Sequence, residues 1–234
     1  MKRIRKNALR FWYAIARALV RAFIFAFFSL EVEGLENIPD RSGVIVAGNH
    51  SSYMDVPIIG AVCSRQVHFM GKKSLFKFAP LRILFKSLGS FPVDREKIDR
   101  KALSTALECL KCGEVLGIFP QGTRGEVSDN GKEGVSWLSL RSSCPIVPVG
   151  IRGTSGIFPW GFLSRRKVLV RFGSPIYPHE FSTAKRSGPN EGRAVYGDGT
   201  TVVDKGRVAQ RLLTKQLMKQ IKELSGQDED AVME

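Results

Sequence analysis

Short apolar runs alternate with helical patterns along most of this chain, and each change of period marks an element. Five runs read as strands: Gly43–Gly48, Gln66–Met70, Val115–Phe119, Pro145–Ile151 and Val168–Phe172. Helical spacing covers Val56–Val62, Pro80–Leu88, Ile98–Lys111, Lys132–Leu140 and a C-terminal stretch from about Asp204 to Leu224. Strands separated by helices predict a single mixed-sheet α/β domain. Arg186–Thr201, rich in Gly, Ser, Asn and charge, reads as a mobile loop, and residues 227–234 as an acidic, frayed tail. No internal repeat is present, so the division is a helical segment at 1–32, a main domain at 33–226 and the tail.

The N-terminal pattern is of another kind. Residues 8–30 are rich in apolar residues, yet the longest charge-free run, Ala22 to Leu30, is far shorter than the ~20 residues a spanning helix needs. At about 100° per residue, Arg3, Arg10, Arg17 and Arg21 fall within roughly 20° of one line, with Lys6 close by. Phe11, Trp12, Ile15, Leu19, Phe23 and Phe27 lie away from that stripe. A basic stripe with aromatic flanks suits a helix lying in the headgroup layer, attracted by anionic membrane lipids. The expected location is the cytoplasmic face of the cell membrane. A signal peptide fits poorly, because arginines interrupt the apolar region and no small-x-small cleavage pattern follows. A helix packed on the protein's own core, or a hairpin dipping into one leaflet, remains open.

Composition changes the picture at one point. The 234 residues are 43% hydrophobic and 25% charged, ordinary for a globular protein, but the net charge is +14. Half of that excess lies before Glu31, in Lys2, Arg3, Arg5, Lys6, Arg10, Arg17 and Arg21. Such a surplus points to nucleic acid, an anionic membrane or phosphate-bearing substrates. Cys63, Cys109, Cys112 and Cys144 are too few for a disulfide scaffold. Cys109 and Cys112 form a CxxC inside a helical pattern, without a second pair or a nearby His, so reduced thiols in a cytosol-facing protein are the better reading.

The candidate chemistry sits in Asn49-His50-Ser51-Ser52-Tyr53-Met54-Asp55, directly after the apolar run Val44–Ala47. A strand ending in such a loop holds His50 and Asp55 within reach of each other. The carboxylate can then fix the imidazole tautomer and stabilise the imidazolium, leaving the other ring nitrogen as a general base. By itself the pair is a weak signal, and a structural histidine is the alternative. His68 and His179 have no comparable context. There is no GxxxxGK[ST] loop, complete GxGxxG, HExxH or GxSxG. Nucleotide-fuelled, zinc-hydrolase and covalent-serine chemistries therefore lack their usual residues, and no metal or cofactor is expected.

Three further blocks follow in order: Gly89-Ser90-Phe91-Pro92-Val93-Asp94-Arg95, Phe119-Pro120-Gln121-Gly122-Thr123-Arg124-Gly125 and Cys144-Pro145-Ile146-Val147-Pro148-Val149. With the His-x4-Asp block, this ordered set resembles the glycerolipid acyltransferases, the family that includes 1-acylglycerol-3-phosphate acyltransferase. The resemblance covers about residues 35–175. It implies an α/β domain at the membrane surface that moves an acyl chain from acyl-CoA or acyl-carrier-protein to the sn-2 hydroxyl of lysophosphatidic acid. His50 would be the base and Asp55 its partner. Arg95, Gly122, Thr123 and Arg124 would bind the substrate phosphate, with Asn49, Gln121, Ile146 and Pro148 as further substrate-site residues. Two positions depart from the pattern: Gln121 stands for the family's usual glutamate and Gly125 for its usual serine.

Elementary chemistry supports part of this. Arg124 follows Gly-Thr in a turn, where backbone N–H groups and a guanidinium can converge on one anion. A salt bridge to Glu126 is the alternative for Arg124, and a plain surface arginine for Arg95. Lys72, Lys73, Lys77 and Arg82 form a basic surface suited to guiding an anionic donor, or merely a solvated face. Two rival functions stay open: an acyltransferase acting on glycerol 3-phosphate, a lysophospholipid or a lipid-linked sugar, and a non-catalytic basic module. The second explains the charge but not the His50/Asp55 pair, and no nucleic acid is expected as a partner.

Overall fold

Val44–Gly48 carries five apolar or small residues in succession, and all five are buried. A strand without a polar face must be covered on both sides, so it belongs inside a sheet sandwiched between helices. The computed structural model, which describes residues 2–122, 131–155, 166–182, 193–195, 201–203 and 205–226, has this arrangement. In chain order the elements are α1 (Lys2–Phe27), β1 (Ser29–Glu33), β2 (Val44–Gly48), α2 (Asp55–Val62), β3 (Val67–Lys72), α3 (Ala79–Ser87), β4 (Phe91–Val93), α4 (Arg100–Lys111), β5 (Val115–Ile118), α5 (Gly134–Ser142), β6 (Ile146–Arg152), β7 (Lys167–Phe172), α6 (His179–Ser182), β8 (Arg193–Val195), β9 (Thr201–Val203) and α7 (Lys205–Ser225).

Seven strands form one sheet in the order β1-β7-β6-β2-β5-β3-β4. Only the β6–β7 pairing is antiparallel within it. Alternation along the central strands splits the core in two. Val44, Val46, Val147 and Val149 face Ile58 and Ile59 of α2 and Ile24 and Phe28 at the end of α1. Ile45, Leu116 and Ile146 face Leu110 of α4, Leu138 of α5 and Leu213 and Leu217 of α7. α4 begins at Asp99, whose carboxylate accepts from Ala102 N at 3.0 Å and from Asp94 N at 3.0 Å. The Ala102 bond, then the Asp94 bond, holds its pKa below the usual carboxylate range. Burial pushes the Cys63 and Cys109 thiols up to about 12, as befits inert structural cysteines.

All five strands and all five helices read from the pattern are present, with ends shifted by one or two residues. Four short strands were not legible. β1 is an edge strand with mostly exposed side chains, placed by pairing with β7 and by the ion pairs Arg171–Glu33 at 2.9 Å and Lys167–Glu31 at 3.0 Å. The boundary drawn between residues 32 and 33 falls inside it. β4 is three residues long and carries Pro92, which only an edge strand tolerates. The expected loop Arg186–Thr201 contains β8, which pairs antiparallel with β9. The tail at 227–234 lies outside the described residues.

The N-terminal segment needs a larger correction. The helix ends at Phe27, and one of its faces is core: Ile24 and Phe28 beyond its end are buried, and α1 packs on α2 and α3. Arg17, counted in the outward basic stripe, turns inward, donating to Ala61 O at 3.3 Å and Ser64 O at 3.2 Å beyond the end of α2. The carbonyls at a helix C-terminus lack intrahelical partners and attract a cation, which overrides the simple wheel. Trp12, Leu19, Phe23 and Phe27 remain exposed on other faces. Among the described residues, no helix is long and apolar enough to cross a membrane.

The seat of α7 on the sheet gives a direct test. A methyl group on Gly150 of β6 would meet the Leu224 carbonyl carbon of α7 at 2.2 Å. Gly150→Ala is expected to destabilise the fold by about 2–3 kcal/mol, an overpacking against backbone that cannot rotate away. Urea unfolding measures it, and a variant as stable as wild type would show that α7 is not seated there.

Candidate active site

β2 lies in the middle of the sheet, and its carboxyl end delivers Asn49 and His50 to the edge where α/β proteins bind ligands. The Asn49 side chain behaves like one more rung of the ladder. Its Nδ2 donates to Ile151 O at 2.8 Å, and its Oδ1 accepts from Ile151 N at 2.7 Å. Asn49, expected as a possible substrate-site residue, is therefore buried and fully occupied in tying β2 to β6. This corrects its role from contact to support.

His50 and Asp55 meet as the spacing implied. His50 Nδ1 lies 2.9 Å from Asp55 Oδ2, and Asp55 is wholly buried at the first turn of α2. The same oxygen accepts from Ser51 N and Ser52 N, each at 2.8 Å, while Thr154 Oγ1 donates to Oδ1 at 2.7 Å. Four donors and the positive end of α2 thus compensate a carboxylate that no water reaches. With Nδ1–H directed to Asp55, Nε2 is the nitrogen available as a base. The imidazole stacks on Phe119, with centroids 4.2 Å apart and planes 18° from parallel, and Phe119 stacks in turn on Phe69. The stack fixes the ring plane that the carboxylate alone would leave free.

A cavity of about 640 Å³ opens beside His50. Pro57 and Gly60 of α2, Phe69 of β3, Leu84 of α3 and Leu88 just beyond it, and Val20 of α1 line it, with Arg95 and Lys72 as cationic wall residues. Its volume is that of an elongated ligand of substantial size, and its walls are largely apolar. Arg95 also donates from Nη1 to Gly122 O. Gly122 adopts φ +73°, a left-handed turn within the turn expected around Gly-Thr-Arg, and a methyl placed on it would lie 2.9 Å from Lys132 Nζ. Two cations therefore converge on this turn. Lys132 was missed in the sequence because it was counted with the helix that follows; its place before α5, eight residues beyond the Gly-Thr-Arg turn, was the available signal.

Gln121 Oε1 accepts from His50 N at 3.4 Å. That contact needs only an oxygen acceptor, which glutamine and glutamate both supply, so the departure at this position removes a charge and keeps the contact. Ile146 and Pro148 require correction. Ile146 is buried at the start of β6, in the cluster facing α7, about 17 Å of strand away from Ile151 at the end that meets the dyad. Pro148 is buried against Gly173, and neither residue lines the cavity. Thr123 and Arg124 lie outside the described residues. His68 bonds Gly89 O at 3.0 Å, away from the dyad. Among the described residues, no group of His, Cys, Asp and Glu is arranged to hold a metal ion.

A model of the family described as acyltransferase matches residues 29–152. A 1-acyl-sn-glycerol-3-phosphate acyltransferase of Bacillus subtilis is 32% identical over 157 residues, 65% of this chain and 76% of that protein. A protein of the same name from Borreliella burgdorferi is 28% identical over 175 residues, 73% of this chain and 68% of that one. A chloroplast relative from Brassica napus is 26% identical over 178 residues, and only 51% of its length is spanned. The crystal structure of the 1-acyl-sn-glycerophosphate acyltransferase of Thermotoga maritima superposes with a TM-score of 0.62 at 25% identity, covering 94% of this chain and 82% of that one. The matched segment contains β2, the dyad, the Gly122 turn and β6, and on these grounds the chain belongs to the glycerolipid acyltransferase family.

Proposed function

We propose that this acyltransferase moves an acyl chain from acyl-CoA or acyl-carrier-protein to the sn-2 hydroxyl of 1-acyl-glycerol-3-phosphate, forming phosphatidic acid. The observation that carries this reading is the His50–Asp55 dyad beside a cavity of about 640 Å³, with Arg95 and Lys132 converging on the adjoining Gly122 turn. His50 Nε2 takes the proton of the acceptor hydroxyl as its oxygen attacks the thioester carbonyl, and Asp55 stabilises the imidazolium that forms. Collapse of the tetrahedral adduct expels the thiolate, which recovers the proton from His50. The acceptor attacks directly, so no residue of the enzyme carries the acyl chain. The apolar cavity suits that chain, and the cations suit the acceptor phosphate.

The membrane part of the proposal rests on exposed apolar side chains. Trp12, Leu19 and Phe23 of α1 and Ile83 and Leu84 of α3 are uncovered in the isolated chain. Two adjacent helices presenting such side chains suit the interfacial layer of the cytoplasmic leaflet, where basic residues of α1 meet anionic headgroups. The cavity then opens where acyl chains are found, because α1 and α3 also form its walls.

The deciding assay is purified protein with labelled acyl-CoA and lysophosphatidate, the product identified by mass; absence of phosphatidic acid would reject the acceptor. His50→Ala is expected to lower turnover by about 10²–10⁴ without altering the thermal melt. A variant retaining more than about a tenth of wild-type turnover would remove His50 from the base role. Arg95→Ala and Lys132→Ala are expected to raise the KM of lysophosphatidate about tenfold, the loss of one charge-assisted phosphate contact, with little change for acyl-CoA. Steady-state kinetics with each substrate varied in turn measures this. An effect confined to the thioester would move both cations to the donor side.

Deleting α1 would remove Ile24 from the core and uncover Phe28, so membrane association is better tested by substitution. Trp12→Glu, Leu19→Glu and Phe23→Glu together should release the protein from vesicles containing anionic lipid and leave the melt near wild type. Equal sedimentation of variant and wild type would remove α1 from the membrane interface.

A further inference from the structure

We infer that Thr154 is a positioning residue of the acyl-transfer site, holding the catalytic carboxylate in the one orientation that keeps His50 aimed. This rests on the reading of His50 and Asp55 as the catalytic dyad. The geometry of the Asp55 carboxylate is asymmetric. Oδ2 takes three donors, from His50 Nδ1, Ser51 N and Ser52 N, all within the loop that links β2 to α2. Oδ1 takes the Thr154 hydroxyl at 2.7 Å, from a residue 99 positions away in sequence. Asp55 and Thr154 are both fully buried, so no solvent substitutes for that hydroxyl. Without it, Oδ1 is a buried charged acceptor lacking this donor, and the carboxylate can turn about its Cβ–Cγ bond. Every degree of that rotation moves Oδ2 away from the Nδ1 proton it must hold.

The chain around Thr154 is built to deliver it. Ile151, three residues earlier, is locked to Asn49 through both its backbone N–H and its carbonyl. Gly153 then turns with φ +86°, packed so tightly that a methyl there would lie 2.2 Å from Lys167 O. Only glycine fits that backbone and that space, and the turn carries Thr154 back under the dyad. The end of β2 thus holds the end of β6 through Asn49, and the end of β6 holds Asp55 through Thr154. His50 sits between the two attachments. Asn49 opens the segment that binds the dyad and serves as the latch for its support.

Thr154 does not line the cavity, so its removal should leave substrate binding almost unchanged and act on the chemical step. Thr154→Val keeps the volume and removes the hydroxyl. Its kcat is expected to fall about 10–100-fold, the scale of losing one hydrogen bond to a charged group, with both KM values within about twofold of wild type. Thr154→Ser, which restores the donor, should recover kcat to within about threefold. In an Asp55→Asn background, adding Thr154→Val should change kcat by less than about threefold, because the two residues act through one bond.

Steady-state kinetics on the purified full chain, with a thermal melt of each variant, reads all of these. A Thr154→Val enzyme with wild-type kcat overturns the proposal, as does a serine variant no better than the valine one, or a loss seen mainly in KM. Thr154→Ala replaces Thr154→Val if the latter does not fold, and failure of both to fold assigns Thr154 a structural role and also overturns it. An Asp55→Asn enzyme with full activity would instead overturn the dyad reading itself. An impaired Asp55→Asn beside an unimpaired Thr154→Val would reject Thr154 alone.

Discussion

A carboxylate removed from water and held by four hydrogen-bond donors is the feature on which the candidate site depends. Burying Asp55 without partners would cost several kcal/mol, so its presence at zero exposure requires that the surrounding backbone already be in place. Ser51 N, Ser52 N and His50 converge on it only because β2 ends one residue before Asn49 and α2 begins at Asp55 itself. Thr154 reaches it only because β6 lies beside β2 in register. The fold, in this sense, is a device for closing a short loop around a charge. The chemistry follows, since a fixed carboxylate means a fixed imidazole.

The helix at the N-terminus answers two constraints at once. Its inner face supplies Ile24 and, just past its end, Phe28 to the core that backs β2, while Arg17 caps carbonyls around the end of α2. Its other faces leave Trp12, Leu19 and Phe23 in the open. Tyr13, Arg17 and Val20 also form one wall of the cavity, so the one helix borders core, surface and cavity. A helix attached only for anchoring would not need buried residues.

Much of the fold was legible because the sheet is buried. Central strands with apolar residues on both faces, such as Val44–Gly48 and Ile146–Ile151, leave a strong signal, and the helices covering them repeat with a clear period. Edge elements leave little. β1 has almost no buried side chain, and β4 is three residues interrupted by proline. Their positions follow from pairing with neighbours, which a linear pattern does not contain. Arg17 was misread for a similar reason: the wheel knows its angle, but not that the carbonyls of Ala61 and Ser64 lie across from it.

The same division runs through the site. Local spacing determined the pairing of His50 with Asp55, because six residues between a strand end and a helix start allow little else, and residue type marked a turn around Gly122. Residue types also pointed to the kind of chemistry proposed, a general base near cationic side chains. Tertiary structure alone decided that Asn49 binds Ile151, that Ile146 and Pro148 are buried away from the cavity, and that Lys132 meets Arg95 at Gly122. It alone brought Thr154 to Asp55 across 99 positions of sequence. The physical reason is reach. Dihedral limits and periodicity constrain side chains a few residues apart, whereas contacts between strand ends depend on sheet order and register, which are set by the packing of the whole core.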